Sequence, residues 1–203
     1  MNGPRIVAAA TFGLLALFAG VLLGYGSDEA GLRTLVRATA RASFLLFISA
    51  YVASAARRLF PGAATRWMLR NRRYLGLSFA IAHLLHLDAI WMLSILLGDA
   101  FATDPITLIF GGIAYAFVVT MALTSTDRAA AWLGPRRWNA LHRSGLHWVW
   151  VVFAVDWVGL SFESPGYFLL SASSFGALGL RIAARRARRQ PGFVAPAGAK
   201  SGG

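Results

Sequence analysis

The sequence predicts an all-α membrane protein, a six-transmembrane-helix bundle with N and C termini on the cytoplasmic side. Three observations carry this reading. Of the 203 residues, 57% are hydrophobic and 14% charged, and the mean hydropathy is +0.58, a composition outside that of soluble globular domains. The apolar residues gather into blocks close to the ~20 residues a helix needs to cross a bilayer. The formal charge of +12, from 19 arginines and one lysine, falls between those blocks, which marks topology rather than a nucleic-acid-binding face. There is no cysteine, so disulfides, iron–sulfur clusters, thiolate-ligated haem and covalent c-type attachment are excluded.

The first span covers residues 6–25. Arg5 precedes it, but the apolar run is longer than the ~7–15 residues of a signal-peptide core, so it is read as a helix. The second, 42–56, follows Arg33, Arg37 and Arg41, and the third, 74–97, is launched by Arg72-Arg73. The fourth, 106–125, opens behind Pro105, and the sixth, 167–184, follows Pro165; both prolines stand where a missing N–H is tolerated. The fifth, 139–162, follows Gly134-Pro135-Arg136-Arg137-Trp138. Connections are short, so residues 1–189 form one domain, and 190–203, rich in glycine, proline and alanine, reads as a disordered tail.

Arginine sets the orientation. Arg57, Arg58, Arg66, Arg70, Arg72 and Arg73 crowd the loop between spans two and three, Arg128, Arg136 and Arg137 the loop between four and five, and Arg185, Arg186, Arg188 and Arg189 the tail. The other side holds Asp28, Glu29, Asp99, Asp104 and Glu163. By the positive-inside rule the arginine-rich side and both termini face the cytoplasm. Spans three and five then run parallel, so their side chains share depths.

All four histidines lie on those two spans: His83 and His86 on the third, His142 and His147 on the fifth. An intramembrane histidine is a functional candidate by default, because imidazole is costly in hydrocarbon unless it faces the interior. Interhelical hydrogen bonding to serine, threonine or backbone is the plainer alternative for any one of them. Four on two helices favour haem iron, which in a six-coordinate site takes one imidazole from each side, each steered by its second nitrogen. Counted from Arg73 and Arg137, His83 and His147 are both ten residues in, His86 thirteen and His142 five. Depth therefore pairs His83 or His86 with His147. Arg37 and Arg41, near the outer end of span two, suit haem propionates or pairing with Asp156 or Glu163. Asp88, in the outer half of span three, suits proton movement or pairing with an arginine or a tryptophan N–H.

The remaining features read as architecture. Gly20-x-x-x-Gly24 and the Ser171, Ser174, Gly176 and Gly179 cluster predict close helix approach. Trp67, Trp132 and Trp138 fit an inner aromatic belt and Trp157 and Tyr167 an outer one; Trp148 and Trp150 read as packing beside the histidines. No phosphate-binding loop, dinucleotide fingerprint, nucleophile elbow or zinc-protease motif occurs.

Three stretches carry a family resemblance: Thr39-Ala40-Arg41 at span two; Arg72-Arg73-Tyr74-Leu75-Gly76-Leu77 followed by His86; and Thr124-Ser125-Thr126 with Leu133-Gly134 and Arg137-Trp138-Asn139-Ala140-Leu141-His142. Over spans two to five the chain resembles the ferric reductase-like transmembrane domain family, most closely the haem-binding membrane subunits of periplasmic methionine sulfoxide reductase systems. The resemblance implies a six-helix b-type cytochrome with His86 and His142 at haem-linked positions. One departure stands out: those subunits carry a further histidine thirteen residues after the position of His142, and here it is Val155. Either His147 substitutes or haem is lost.

The function so implied is haem b electron transfer from a cytoplasmic flavoprotein or quinol towards a periplasmic acceptor, with a quinone or FMN as a further cofactor. Only about twenty residues follow span six, so no flavin or NADPH domain of the ferric reductase kind is expected in the chain. The rival is a haem-free membrane scaffold or small transporter on the same helical frame, against which stand unbroken spans and no inverted repeat.

Overall fold

The computed structural model describes residues 3–189; the tail expected to be disordered lies outside the described residues. The elements are α1 (Pro4–Tyr25), α2 (Glu29–Leu59), a short α3 (Ala63–Arg70), α4 (Arg72–Leu97), α5 (Pro105–Leu123), α6 (Asp127–Glu163) and α7 (Phe168–Arg189), with single 3-10 turns at Gly98–Ala100 and Pro165–Tyr167. All but α3 are long and apolar enough to cross a membrane. The protein is thus an all-α, multi-pass membrane bundle of six spanning helices.

Local chemistry explains most boundaries. Asp28 caps α2 by accepting from the Gly31 amide (2.9 Å), Asp104 caps α5 through Thr107 (3.1 Å) and Thr126 caps α6 through Ala129 (3.2 Å). Helices α1 and α4 end on Gly26 and Gly98, at φ 81° and 51°, where a side chain would be strained.

Two helices are longer than their apolar cores suggest. α2 begins at Glu29, not at residue 42, because its early arginines lie on an exposed stripe and do not end the helix. Arg33 pairs with Glu29 at 2.7 Å and Arg37 donates to Thr34 at 3.1 Å, while Leu32, Leu35 and Thr39 on the other face are buried. α6 begins at Asp127, not residue 139, and the Gly-Pro pair interrupts it: Gly134, at φ 72° and ψ 160°, is non-helical and joins a short first segment to the long apolar one.

α2 is the central helix, packing most extensively on α4 and also on α1 and α7. Its Phe44, Phe47 and Tyr51 meet Phe79 of α4, Val118 of α5 and Phe153 and Trp157 of α6. Ring centroids lie 5.2 Å apart for Phe47–Phe79 and 5.4 Å for Phe47–Phe153, within the range of favourable aromatic pairs. Trp157 does not serve an outer belt: it is 3% exposed, edge-on to Phe44 at 5.5 Å and stacked on Tyr167 at 5.8 Å. Trp148 and Trp150 are packing residues, their indole N–H groups donating to the Phe110 and Ser174 carbonyls at 3.1 and 2.9 Å.

The expected small-residue contacts are only partly realised. Ser171 and Ser174 are buried, and Ser171 shares a 2.8 Å hydrogen bond with Ser161 across the α6–α7 seam. Gly20, Gly24, Gly176 and Gly179 instead face open space, with nothing within 4 Å of where a Cβ would stand. The close approach falls at Gly145 on α6, whose Cβ would meet Met121 Sδ at 2.8 Å and Phe117 Cδ1 at 3.0 Å on α5. Gly145→Val should therefore destabilise the bundle by about 1–3 kcal/mol through overpacking, read as a lower thermal midpoint in detergent. The Gly20→Ala, Gly24→Ala pair should not lower it.

Candidate functional site

The bundle carries two open cavities, one towards each end. Arg73 of α4 pairs with Asp127 of α6 at 2.7 Å, so these two helices start at the same end and run parallel. At that end, which also carries the N-terminus and the α7 C-terminus, lies a cavity of about 420 Å³ lined by Arg72, Arg73, Asn139, His142, Arg143 and Arg181 among apolar side chains. Towards the opposite end lies one of about 860 Å³ lined by His83, His86, Arg33, Arg37, Asp156 and Trp157 among others. Both fall within the range of small-molecule sites. Phe47 and Phe79 line the first and Phe153 the second, so this aromatic layer divides them.

The imidazoles of the larger cavity are held from behind by α2. His83 Nδ1 lies 3.0 Å from Ser43 Oγ, and His86 Nδ1 3.1 Å from Thr39 Oγ1. The Thr39 hydroxyl has one proton to give and also lies 2.8 Å from the Leu35 carbonyl and 3.1 Å from the Val36 carbonyl. With that proton on a backbone carbonyl, the imidazole donates from Nδ1 and its Nε2 keeps a lone pair. This is the tautomer a metal-ligating histidine requires. His83, 7% exposed, is stacked on Tyr115 with centroids 4.4 Å apart, which covers one face of its ring. Its ring centroid lies 5.8 Å from that of His86.

The other two histidines are placed elsewhere. His142 lines the smaller cavity, stacked on Trp138 at 3.9 Å with Nδ1–H donating to the Trp138 carbonyl at 3.1 Å. His147 lines neither cavity; its Nδ1–H donates to the Arg143 carbonyl at 2.7 Å and its ring stands edge-on to Tyr51 at 6.1 Å. The depth count paired His147 with His83, but Phe153 is the α6 residue facing His83, at 5.7 Å. The count falls six residues short on α6, so Arg137 does not share the depth of Arg73. Val155, by contrast, does line the larger cavity with His83 and His86.

Among the outer arginines, Arg37 and Arg33 line the larger cavity, whereas the Arg41 guanidinium lies over the Tyr167 ring at 5.1 Å. Among the described residues the ion pairs are Arg33–Glu29 and Arg73–Asp127, so the anticipated pairing of Arg37 or Arg41 with Asp156 or Glu163 is not formed. Asp88 lines neither cavity and is exposed. Residue-by-residue reading missed Ser43, Tyr115 and Trp157 as cavity partners. A signal existed for the first: hydroxyls at positions 39 and 43, four apart, match imidazoles at 86 and 83, three apart, as antiparallel helix faces do.

These features define a polytopic membrane protein with a histidine-walled intramembrane cavity. In sequence, the chain is similar to the protein-methionine-sulfoxide reductase heme-binding subunit MsrQ of Azospira oryzae, 34% identical over 100 residues that cover 42% of this chain and 42% of that protein. The chain thus matches less than half the length of that curated relative. No family model matches the chain and no solved structure matches it.

The α2 hydroxyls should be measurable as structural members of the site. Ser43→Ala and Thr39→Val should each cost about 0.6–1 kcal/mol, the typical worth of an interhelical polar contact in a membrane. Thermal unfolding in detergent reads the loss, and Thr34→Val, on the exposed face of the same helix, should leave the midpoint within error.

Proposed function

We propose that this chain is the membrane haem b subunit of an electron-transfer system in a bacterial inner membrane, termini in the cytoplasm, taking electrons from a flavoprotein or from quinol and passing them to a periplasmic acceptor. The observation that carries the reading is His86: an imidazole on the wall of the larger cavity, its Nδ1 held 3.1 Å from Thr39 Oγ1. Among the described residues no three His, Asp or Glu side chains gather to hold a bare metal ion. The donor set therefore suits an iron that brings its remaining ligands with it, as in a porphyrin. The heme-binding name of the Azospira relative supports the same reading.

The residues fit the group. His86 would ligate iron, His83 and Phe153 would wall the pocket, and Arg33 and Arg37 would receive propionates in the bidentate manner guanidinium favours. Trp157 adds an indole N–H that is buried without a partner on the same wall. When bound, haem supplies reversible one-electron transfer at iron, its potential set by axial ligation and the surrounding dielectric. With Val155 on the cavity wall, His86 is the one ligand we assign here, and His142 and His147 stand outside this site. A quinol donor would bring quinone as a second ligand, and a flavoprotein donor FMN. The same Val155 favours the second reading, a haem-free scaffold or transporter.

Pyridine haemochrome analysis of detergent-purified protein from a haem-replete host should show protohaem close to one per chain; well-folded, colourless protein would remove the leading reading. His86→Ala should lose most of that haem, and His147→Ala should retain it. Loss in the second variant alone would return the ligand to His147. Val155→His offers a second imidazole, so it should move the bound haem from high-spin to low-spin spectra.

A donor test follows from the fold. Nucleotide binding at a glycine-rich turn requires a strand-turn-helix unit, and among the described residues there is no strand. Anaerobic NADPH should leave the haem bands unchanged until a flavin reductase or a quinol is added.

A further inference from the structure

We propose that the smaller cavity is a binding site for the phosphate headgroup of an anionic phospholipid, independent of any haem in the larger one. Three guanidinium groups from three helices line it: Arg72 of α4, Arg143 of α6 and Arg181 of α7. Among the described residues Asp127 is the only carboxylate on its wall, and it is committed to Arg73 at 2.7 Å. Arg72 and Arg181 are half-buried and Arg143 is exposed, and three like charges converging on one cavity without an ion-pair partner among the described residues call for an anion between them.

Two of the three are fixed from behind. Arg72 donates to the Ala50 carbonyl at 3.2 Å and to Ser54 Oγ at 3.2 Å. Arg181 donates to the Tyr51 carbonyl at 2.6 Å and lies 4.2 Å over the Tyr51 ring, while its Nε is buried with no partner. These side chains are held inside the bundle and do not reach along it to the membrane surface. Arg143 has no side-chain partner among the described hydrogen bonds and ion pairs, so its fork is available to a ligand.

The geometry selects the kind of anion. A planar carboxylate is satisfied by one guanidinium fork, whereas a tetrahedral phosphate presents acceptors in several directions and suits donors converging from three helices. Besides Ser125, Asn139 and His142, which add polar groups, the wall carries apolar side chains such as Phe47, Phe79, Val118 and Leu146, which fits a phosphate attached to a hydrocarbon body better than a free ion. The arginine-rich end of the bundle also places the cavity at the leaflet that the positive-inside rule assigns to the cytoplasm, where anionic lipid headgroups and basic interhelical pockets meet.

The experiment is native mass spectrometry of the full chain released from nanodiscs containing phosphatidylcholine with a minority of phosphatidylglycerol. Wild type should retain one phosphatidylglycerol in preference to phosphatidylcholine. Arg143→Gln should retain it about fivefold less, the worth of one basic residue near the membrane surface. Arg143→Lys should hold most of the binding, and Arg136→Gln, an equal change of charge at a residue that is exposed like Arg143 but lies outside the cavity, should match wild type. Circular dichroism on each variant confirms that helix content is kept. Equal retention of the two lipids, or equal losses in the Arg136 and Arg143 variants, would overturn the proposal in favour of diffuse surface charge. Displacement by millimolar inorganic phosphate would overturn it in favour of a free-phosphate site, and haem found in this cavity by loss of protohaem in Arg143→Gln would overturn it in favour of propionates. None of these outcomes depends on the fate of His86.

Discussion

A polar side chain inside a hydrocarbon slab must find its partner within the protein, and in this bundle that demand is met along the α2–α4 seam. Thr39 answers His86 and Ser43 answers His83, one helical turn apart on each side. This pairing sets the antiparallel register of the two helices and makes α2 the central element, since its hydroxyls must be buried for the imidazoles to be satisfied. The aromatic core follows from the same placement. Phe44, Phe47 and Tyr51 continue the buried face of α2 beyond Ser43, and the rings of α4 and α6 close around them.

The two cavities differ in chemistry because different ends of the helices line them. The larger has imidazoles, an unpartnered indole N–H and two arginines at one end. The smaller is dominated by guanidinium groups anchored to backbone carbonyls of α2. A layer of phenylalanines separates them, so a molecule in one does not share walls with a molecule in the other except through those rings. Both readings of function, a haem above and an anionic lipid below, use this division. The first rests on an imidazole in the cavity wall, the second on converging positive charge.

Gly134 governs which α6 side chains reach which cavity. Its non-helical backbone, at φ 72° and ψ 160°, and the following proline join two helical segments at a kink. The segment that begins level with Arg73 is therefore offset from the segment that faces the core. His142 consequently reaches the smaller cavity, His147 turns towards Tyr51, and Val155 reaches the larger cavity. The position at which the resembling subunits carry a further histidine is thus on the cavity wall, occupied by an aliphatic side chain.

The number and kind of spans were legible in the sequence because the bilayer imposes a length and a composition on any helix that crosses it, whatever its neighbours. The parallel run of α4 and α6 was legible too, from the alternation of spans. The candidate histidines stood out by their rarity in apolar blocks, and Thr39 lay within a noticed stretch. Three matters were decided only in tertiary structure. Charge along α2 hid the helix start, because a linear reading cannot tell an exposed stripe of arginines from a loop. Glycine spacing predicted contacts at Gly20 and Gly24, whereas the close approach occurs at Gly145, since which face meets a neighbour depends on helix rotation. The pairing of histidines depended on depth and azimuth together, and a kink in α6 altered both. Sequence alone determined which groups hydrocarbon would make costly; rotation and offset of packed helices determined which partners those groups found.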